Sequence, residues 1–137
     1  MNRNARIAIY AVIAVVALYG TWSQNLHYGP TLDGFLPDAK ANPAARSVTI
    51  DIFMMALAAS FLMAYEARRL GIRFVWAYVF FGLTVAISFT FPLFLIAREF
   101  ALGREAPAPR GLAWYDYLGF VLVTGFVGWL YWYTLFV

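Results

Sequence analysis

The chain has 137 residues, 64% of them hydrophobic and 12% charged, against about 45–50% and about 25% in soluble domains. It has no cysteine, which excludes disulfides, thiolate metal sites and cysteine nucleophiles. A single histidine, His27, excludes a bis-histidine haem or a His-rich zinc site within one chain, and a net charge of +3 set by arginines at the ends of apolar runs gives no nucleic-acid surface.

Four apolar stretches fill most of the chain, at about 7–22, 48–65, 74–97 and 118–137. Each is within or close to the length that crosses a bilayer's hydrocarbon. Inside lipid the backbone must satisfy its own polar groups, and helices do so without partners. The expected fold is therefore all-α: a polytopic four-transmembrane-helix bundle forming a single domain over residues 1–137.

The first stretch follows Arg3 and Arg6 and resembles a signal peptide in outline. Ala17-Leu18-Tyr19-Gly20 places Tyr19 where a cleavage site needs a small residue, so an uncleaved anchor is expected. A loop over 24–41 follows, punctuated by Gly29-Pro30, Asp33-Gly34 and Pro37, with Leu32, Phe35 and Leu36 able to dip into the interface. The second helix has the clearest limits. Asn42-Pro43 reads as an N-cap and first-turn pair, and Arg68-Arg69-Leu70-Gly71 as a C-terminus. The third stretch begins after Arg73 and ends near Arg98-Glu99. Pro92 in its second half is expected to release the Ser88 carbonyl and bend the helix. Ala106 to Gly111 reads as a short stiff link, and the fourth stretch runs on to Val137.

With each stretch crossing once and the N-terminus inside, five cations fall on each side. Arg3, Arg6, Arg68, Arg69 and Arg73 face Lys40, Arg46, Arg98, Arg104 and Arg110. The weight of the first span and the crowding of Arg68, Arg69 and Arg73 in one short loop break the tie, giving both termini in the cytoplasm.

Asp51 is the leading candidate for chemistry, a carboxylate eight residues into the second helix with apolar residues after it. Arg98 or Arg46 is the expected cation for it. In an arrangement of four crossings, Asp116 and Arg98 share its side and could form a polar pocket with Asn25 and His27. The plainer roles are a first-turn anion for Asp116 and a snorkelling last-turn cation for Arg98. Glu66 is expected to pair with Arg69 and Arg73 on one helix face. His27 is a weak candidate cofactor ligand, and no metal site is expected. Ala56, Ser60 and Ala64 form a small-residue stripe that lets another backbone approach, and Thr124 and Gly128 repeat it in the fourth helix.

Asn42-Pro43-Ala44-Ala45-Arg46-Ser47 with Asp51, then Glu66-Ala67-Arg68-Arg69-Leu70-Gly71, then Ile87-Ser88-Phe89-Thr90-Phe91-Pro92-Leu93-Phe94-Leu95 ahead of Arg98-Glu99, carry a resemblance. Over roughly the first three spans the chain resembles a family of small bacterial integral-membrane proteins catalogued only as a domain of unknown function, with the aromatic fourth span as an addition. The resemblance implies a bacterial inner-membrane location and no site roles.

The composition favours a non-enzymatic accessory or assembly subunit of a larger membrane complex. Its partners would be the lipid bilayer and other membrane proteins or further copies of itself. The alternative is a binder or enzyme for an apolar ligand such as a carotenoid, quinone or isoprenoid. No cofactor is required by the sequence, though an apolar pigment, quinone or lipid would fit its walls.

Overall fold

Asn2 starts the first helix by accepting a hydrogen bond from the Ala5 amide at 2.8 Å, and α1 then runs over Arg3–Asn25. The computed structural model describes residues 1–29, 33–105, 108 and 110–137. Leu32 and half of the expected stiff link at 106–111 (positions 106, 107 and 109) lie outside the described residues. A single turn, α2 (Phe35–Asp38), leads into α3 (Pro43–Leu70). The ends of α3 are as the sequence expects. Asn42 accepts from the Ala45 amide at 2.9 Å, Pro43 occupies the first turn, and Gly71 closes the helix at φ 67°.

After four residues the chain enters α4 (Val75–Phe81), a π-helical segment over Gly82–Ala86, α5 (Ile87–Leu102) and finally α6 (Trp114–Phe136). All regular elements among the described residues are helical. Four helical segments are long and apolar enough to cross a membrane: Arg3–Tyr28, Pro43–Leu70, Val75–Leu102 and Trp114–Phe136.

The third segment does not run straight. Ala86 is extended at φ −174°, ψ 126°, and the chain reverses there. Tyr78 and Phe94, sixteen positions apart, hold their rings edge to face with centroids 5.7 Å apart. In a continuous helix they would be separated by about 24 Å. α4 and α5 are thus the two arms of a helical hairpin. The inward arm, Val75–Ala86, rises about 18 Å over its twelve residues, too short for a hydrocarbon core of about 30 Å.

Pro92 sits within α5, and the reversal comes six residues before it. Gly82 allows the turn, because a Cβ there would lie 2.8 Å from both Ile87 Cδ1 and Thr90 Oγ1. β-Branched Thr84, Val85 and Ile87 around the tip add little helical preference to resist it.

A reversal at membrane depth exposes carbonyls that lipid cannot satisfy. At the tip the Trp22 indole of α1 donates to the Val85 carbonyl at 3.2 Å, while the Thr90 hydroxyl, one turn into α5, donates back to the Ala86 carbonyl at 3.3 Å. Trp22→Phe should then cost about 1–2 kcal/mol through the stranded carbonyl, read as a lower unfolding midpoint in detergent. An unchanged midpoint would show that the tip does not need this bond.

The hairpin fixes the remaining packing. α1 lies antiparallel to α5, with Arg6 against Glu99 at one end and Trp22 against Val85 at the other. α3 and α6 are antiparallel, as Arg68 meets Asp116 and Phe61 stacks on Phe120 at 4.2 Å. A core of Met63, Ala67, Val75, Val79, Phe94 and Val123 forms where α3, both arms and α6 converge.

Candidate functional site

The beginnings of α1, α4 and α6 and the ends of α3 and α5 all meet at one end of the bundle. Most of the charge collects there. Arg3, Arg6, Arg68, Arg69, Arg73, Arg98, Arg104 and Arg110 belong to it, leaving only Lys40 and Arg46 for the other end. The same end carries Glu66, Glu99, Glu105 and Asp116, and the far end Asp33, Asp38 and Asp51.

Asp116 is the centre of this arrangement and is fully buried. It lies in the first turn of α6 and accepts from Arg68 Nε and Nη2, both at 2.6 Å, from Trp76 Nε1 at 2.9 Å and from the Ala113 amide at 2.8 Å. A carboxylate offers about four acceptor positions, and four donors occupy them. One residue thereby joins α3, α4 and α6. Gly119 makes room for the joint, since a Cβ there would lie 2.3 Å from the Trp76 ring.

Glu66 accepts from Arg69 Nε at 2.7 Å and Nη2 at 2.8 Å, and from Arg98 Nε at 2.7 Å, tying α3 to α5. Glu99, 3% exposed, accepts from Arg6 at 2.7 Å and ties α5 to α1. Among the described residues no buried side-chain nitrogen or oxygen lacks a hydrogen-bond partner. Chemically the cluster is a set of ion pairs, of which Arg68–Asp116, Arg98–Glu66 and Arg6–Glu99 bridge two helices and Arg69–Glu66 lies within α3. Proton transfer or ligation would first require one of these pairs to open.

The proposed pocket of Asp51, Asp116, Arg98, Asn25 and His27 is corrected by the hairpin. Reversal at Ala86 carries Arg98 back to Glu66 and puts Asp116 on Arg68, both at the opposite end from Asn25, His27 and Asp51. Arg46, the other expected cation for Asp51, instead donates to the Lys40 carbonyl at 3.2 Å. Glu66 takes Arg69 and Arg98 in place of the expected Arg69 and Arg73, again because the chain doubles back.

Asp51 itself is exposed on α3. From the Phe61–Phe120 stack, ten residues back on α3 puts Asp51 level with about Leu130. That is about 4.5 Å short of Tyr133, over whose ring Lys40 Nζ sits at 3.8 Å. Asp51 is thus close to the polar margin of the far end. Asp51→Asn should change stability by no more than about 0.5 kcal/mol, measured by denaturation in detergent. A loss above about 1 kcal/mol would give the carboxylate a structural partner.

His27 is exposed, its Nδ1 3.0 Å from the Gln24 carbonyl. No group of three or more His, Cys, Asp or Glu residues able to hold a metal occurs among the described residues. Ala56, Ser60 and Ala64 are buried, and the Ser60 hydroxyl donates to the Ala56 carbonyl at 2.7 Å. Thr124 and Gly128 lie on the outer side of α6, and a Cβ at Gly125 or Gly128 would meet nothing within 4 Å. The sequence reading missed the Arg68–Asp116–Trp76 joint. Its signal was the only acid near the start of α6 and a tryptophan just past an arginine-rich turn.

A family model described as a protein of unknown function, DUF2834, matches residues 9–100. The chain belongs to this family. The DUF2834 segment takes in most of α1, all of α3 and nearly the whole hairpin, and leaves α6 outside. Arg68 and Trp76 of the joint are therefore within the family segment, and Asp116 is contributed by the helix that follows it. Searches of curated proteins and of solved structures give no match.

Proposed function

We propose that this DUF2834 protein is a non-enzymatic accessory or assembly subunit of a larger complex in a bacterial inner membrane. The observation that carries the reading is the uncovered apolar surface of its outer helices. Only 6% of the most apolar window of α1 is buried, against 28% in each of the other three segments. α6 adds Thr124, Gly125 and Gly128 on an open face, small residues that permit close approach of another helix. The ion pairs support the same role, because their carboxylates are committed to holding helices together.

The arginine-rich end is assigned to the cytoplasm by the excess of lysine and arginine on that side of membrane proteins. With three crossings and one hairpin, the N-terminus is then cytoplasmic and the C-terminus lies on the opposite face. This replaces the expectation of two cytoplasmic termini.

A second reading, a binder or enzyme for a carotenoid, quinone or isoprenoid, is favoured by an apolar groove of about 340 Å³ between α4 and α6. Trp76, Phe80, Leu83, Leu122 and Phe126 are among its walls. Purification in mild detergent from cells expressing the protein at its natural level separates the two. A subunit brings other membrane proteins in fixed stoichiometry. A chromophore or isoprenoid with no protein companion would favour the second reading and overturn the first.

A further inference from the structure

A second groove, of about 320 Å³, lies between the two arms of the hairpin. Phe74, Ala77, Tyr78 and Phe81 form one wall and Phe89 and Leu93 the other. From Phe74 to Phe81 it runs about 10 Å along α4, from the arginine-rich end toward the tip. Of its two hydroxyl-bearing residues, Thr90 donates to the Ala86 carbonyl and Tyr78 lays its ring edge to face on Phe94, and the rest of the lining is apolar.

The mouth of the groove is chemically different. Phe74 has φ 59°, the one positive φ outside glycine among the described residues. Such a conformation is strained for a residue with a side chain and persists only where surrounding structure imposes it. Here it reverses the chain between α3 and α4 and leaves Phe74 77% exposed, with the Arg73 guanidinium 5.5 Å from its ring centroid. Arg6, Arg68, Arg69 and Arg98 each hold a carboxylate, whereas Arg73 is in none of the ion pairs among the described residues.

We propose that this groove binds one acyl chain of an anionic phospholipid, with the lipid phosphate on Arg73. An unpaired cation at the interface and an apolar channel leading from it into the bilayer reproduce the head-to-tail order of a lipid in that leaflet. A guanidinium suits a phosphate through its fork of donors. The cytoplasmic leaflet is the anionic one, so the site rests on the orientation proposed above, and labelling from either side of the membrane tests that orientation separately.

The test is native mass spectrometry of the whole protein released from bilayers containing equal phosphatidylglycerol and phosphatidylcholine of identical chains. The parent should retain phosphatidylglycerol about five-fold over phosphatidylcholine, the discrimination expected from one surface cation. Arg73→Gln should bring that ratio near one while retaining a lipid. Arg110→Gln should leave it unchanged, because Arg110 is not part of the groove and its amide donates to the Arg68 carbonyl at the end of α3. Leu93→Trp should fill the groove and abolish retention of both lipids, and Ala77→Phe should do the same from the opposite wall. A five-fold ratio surviving in Arg73→Gln, or lipid retained by a folded Leu93→Trp or Ala77→Phe protein, would overturn the proposal.

Discussion

Asp116→Leu should be among the most damaging single changes in this protein, lowering stability by about 3–5 kcal/mol. The substitution removes the acceptor for four donors at once: Nε and Nη2 of Arg68, Nε1 of Trp76 and the Ala113 amide. Arg68 is only 19% exposed at its side chain, so its charge has limited recourse to water. A buried pair can be replaced as a unit far more cheaply than it can be broken. The double variant Arg68→Met with Asp116→Leu should accordingly recover part of the loss. Denaturant titration in detergent micelles of the parent, both single variants and the double variant measures the coupling. Additive single effects would show that the pair does not hold α3 to α6.

Gly82→Leu is expected to be the second severe change, because the two arms have no space for a side chain there. Thr90 Oγ1 and Ile87 Cδ1 both lie 2.8 Å from where the first carbon would sit. Overpacking of a core typically costs about 1–3 kcal/mol. At this position it should also part the arms and withdraw Val85 from the indole of Trp22. Ala77→Cys with Leu93→Cys, facing one another across the hairpin groove, reports the parting. A bifunctional thiol reagent should link them in the parent background and fail to do so with Gly82→Leu. Linkage at the parent rate would mean that the arms close without needing glycine.

The helical class and the four apolar segments were legible because composition and run length report them directly. The limits of α3 were legible for a local reason, since Asn42-Pro43 and Gly71 act on the residues beside them. The hairpin was not legible, because hydropathy measures what a segment is made of and not its direction. Val75–Leu102 has the highest mean hydropathy of the four segments, 2.2, and matches Pro43–Leu70 in length at 28 residues. Pro92 drew attention as a breaker, whereas the turn depends on a long-range fit between Gly82 and Thr90. One missed reversal moved every later residue to the wrong end of the bundle. Arg98 and Asp116 were singled out by residue type, yet their partners, Glu66 and Arg68, followed only once the third segment folded back.

That reversal is the central claim, and its most direct test is the side from which single cysteines are labelled. The chain has no native cysteine, so each introduced thiol reports alone. Asn2→Cys, Arg73→Cys, Glu105→Cys, Asp33→Cys and Val137→Cys would each be treated with a membrane-impermeant maleimide, in intact cells and in inverted vesicles. A hairpin predicts that positions 2, 73 and 105 react from one face and positions 33 and 137 from the other. Labelling of position 105 together with 33, and of 137 together with 2, would mean that the third segment crosses the bilayer, and would contradict the account.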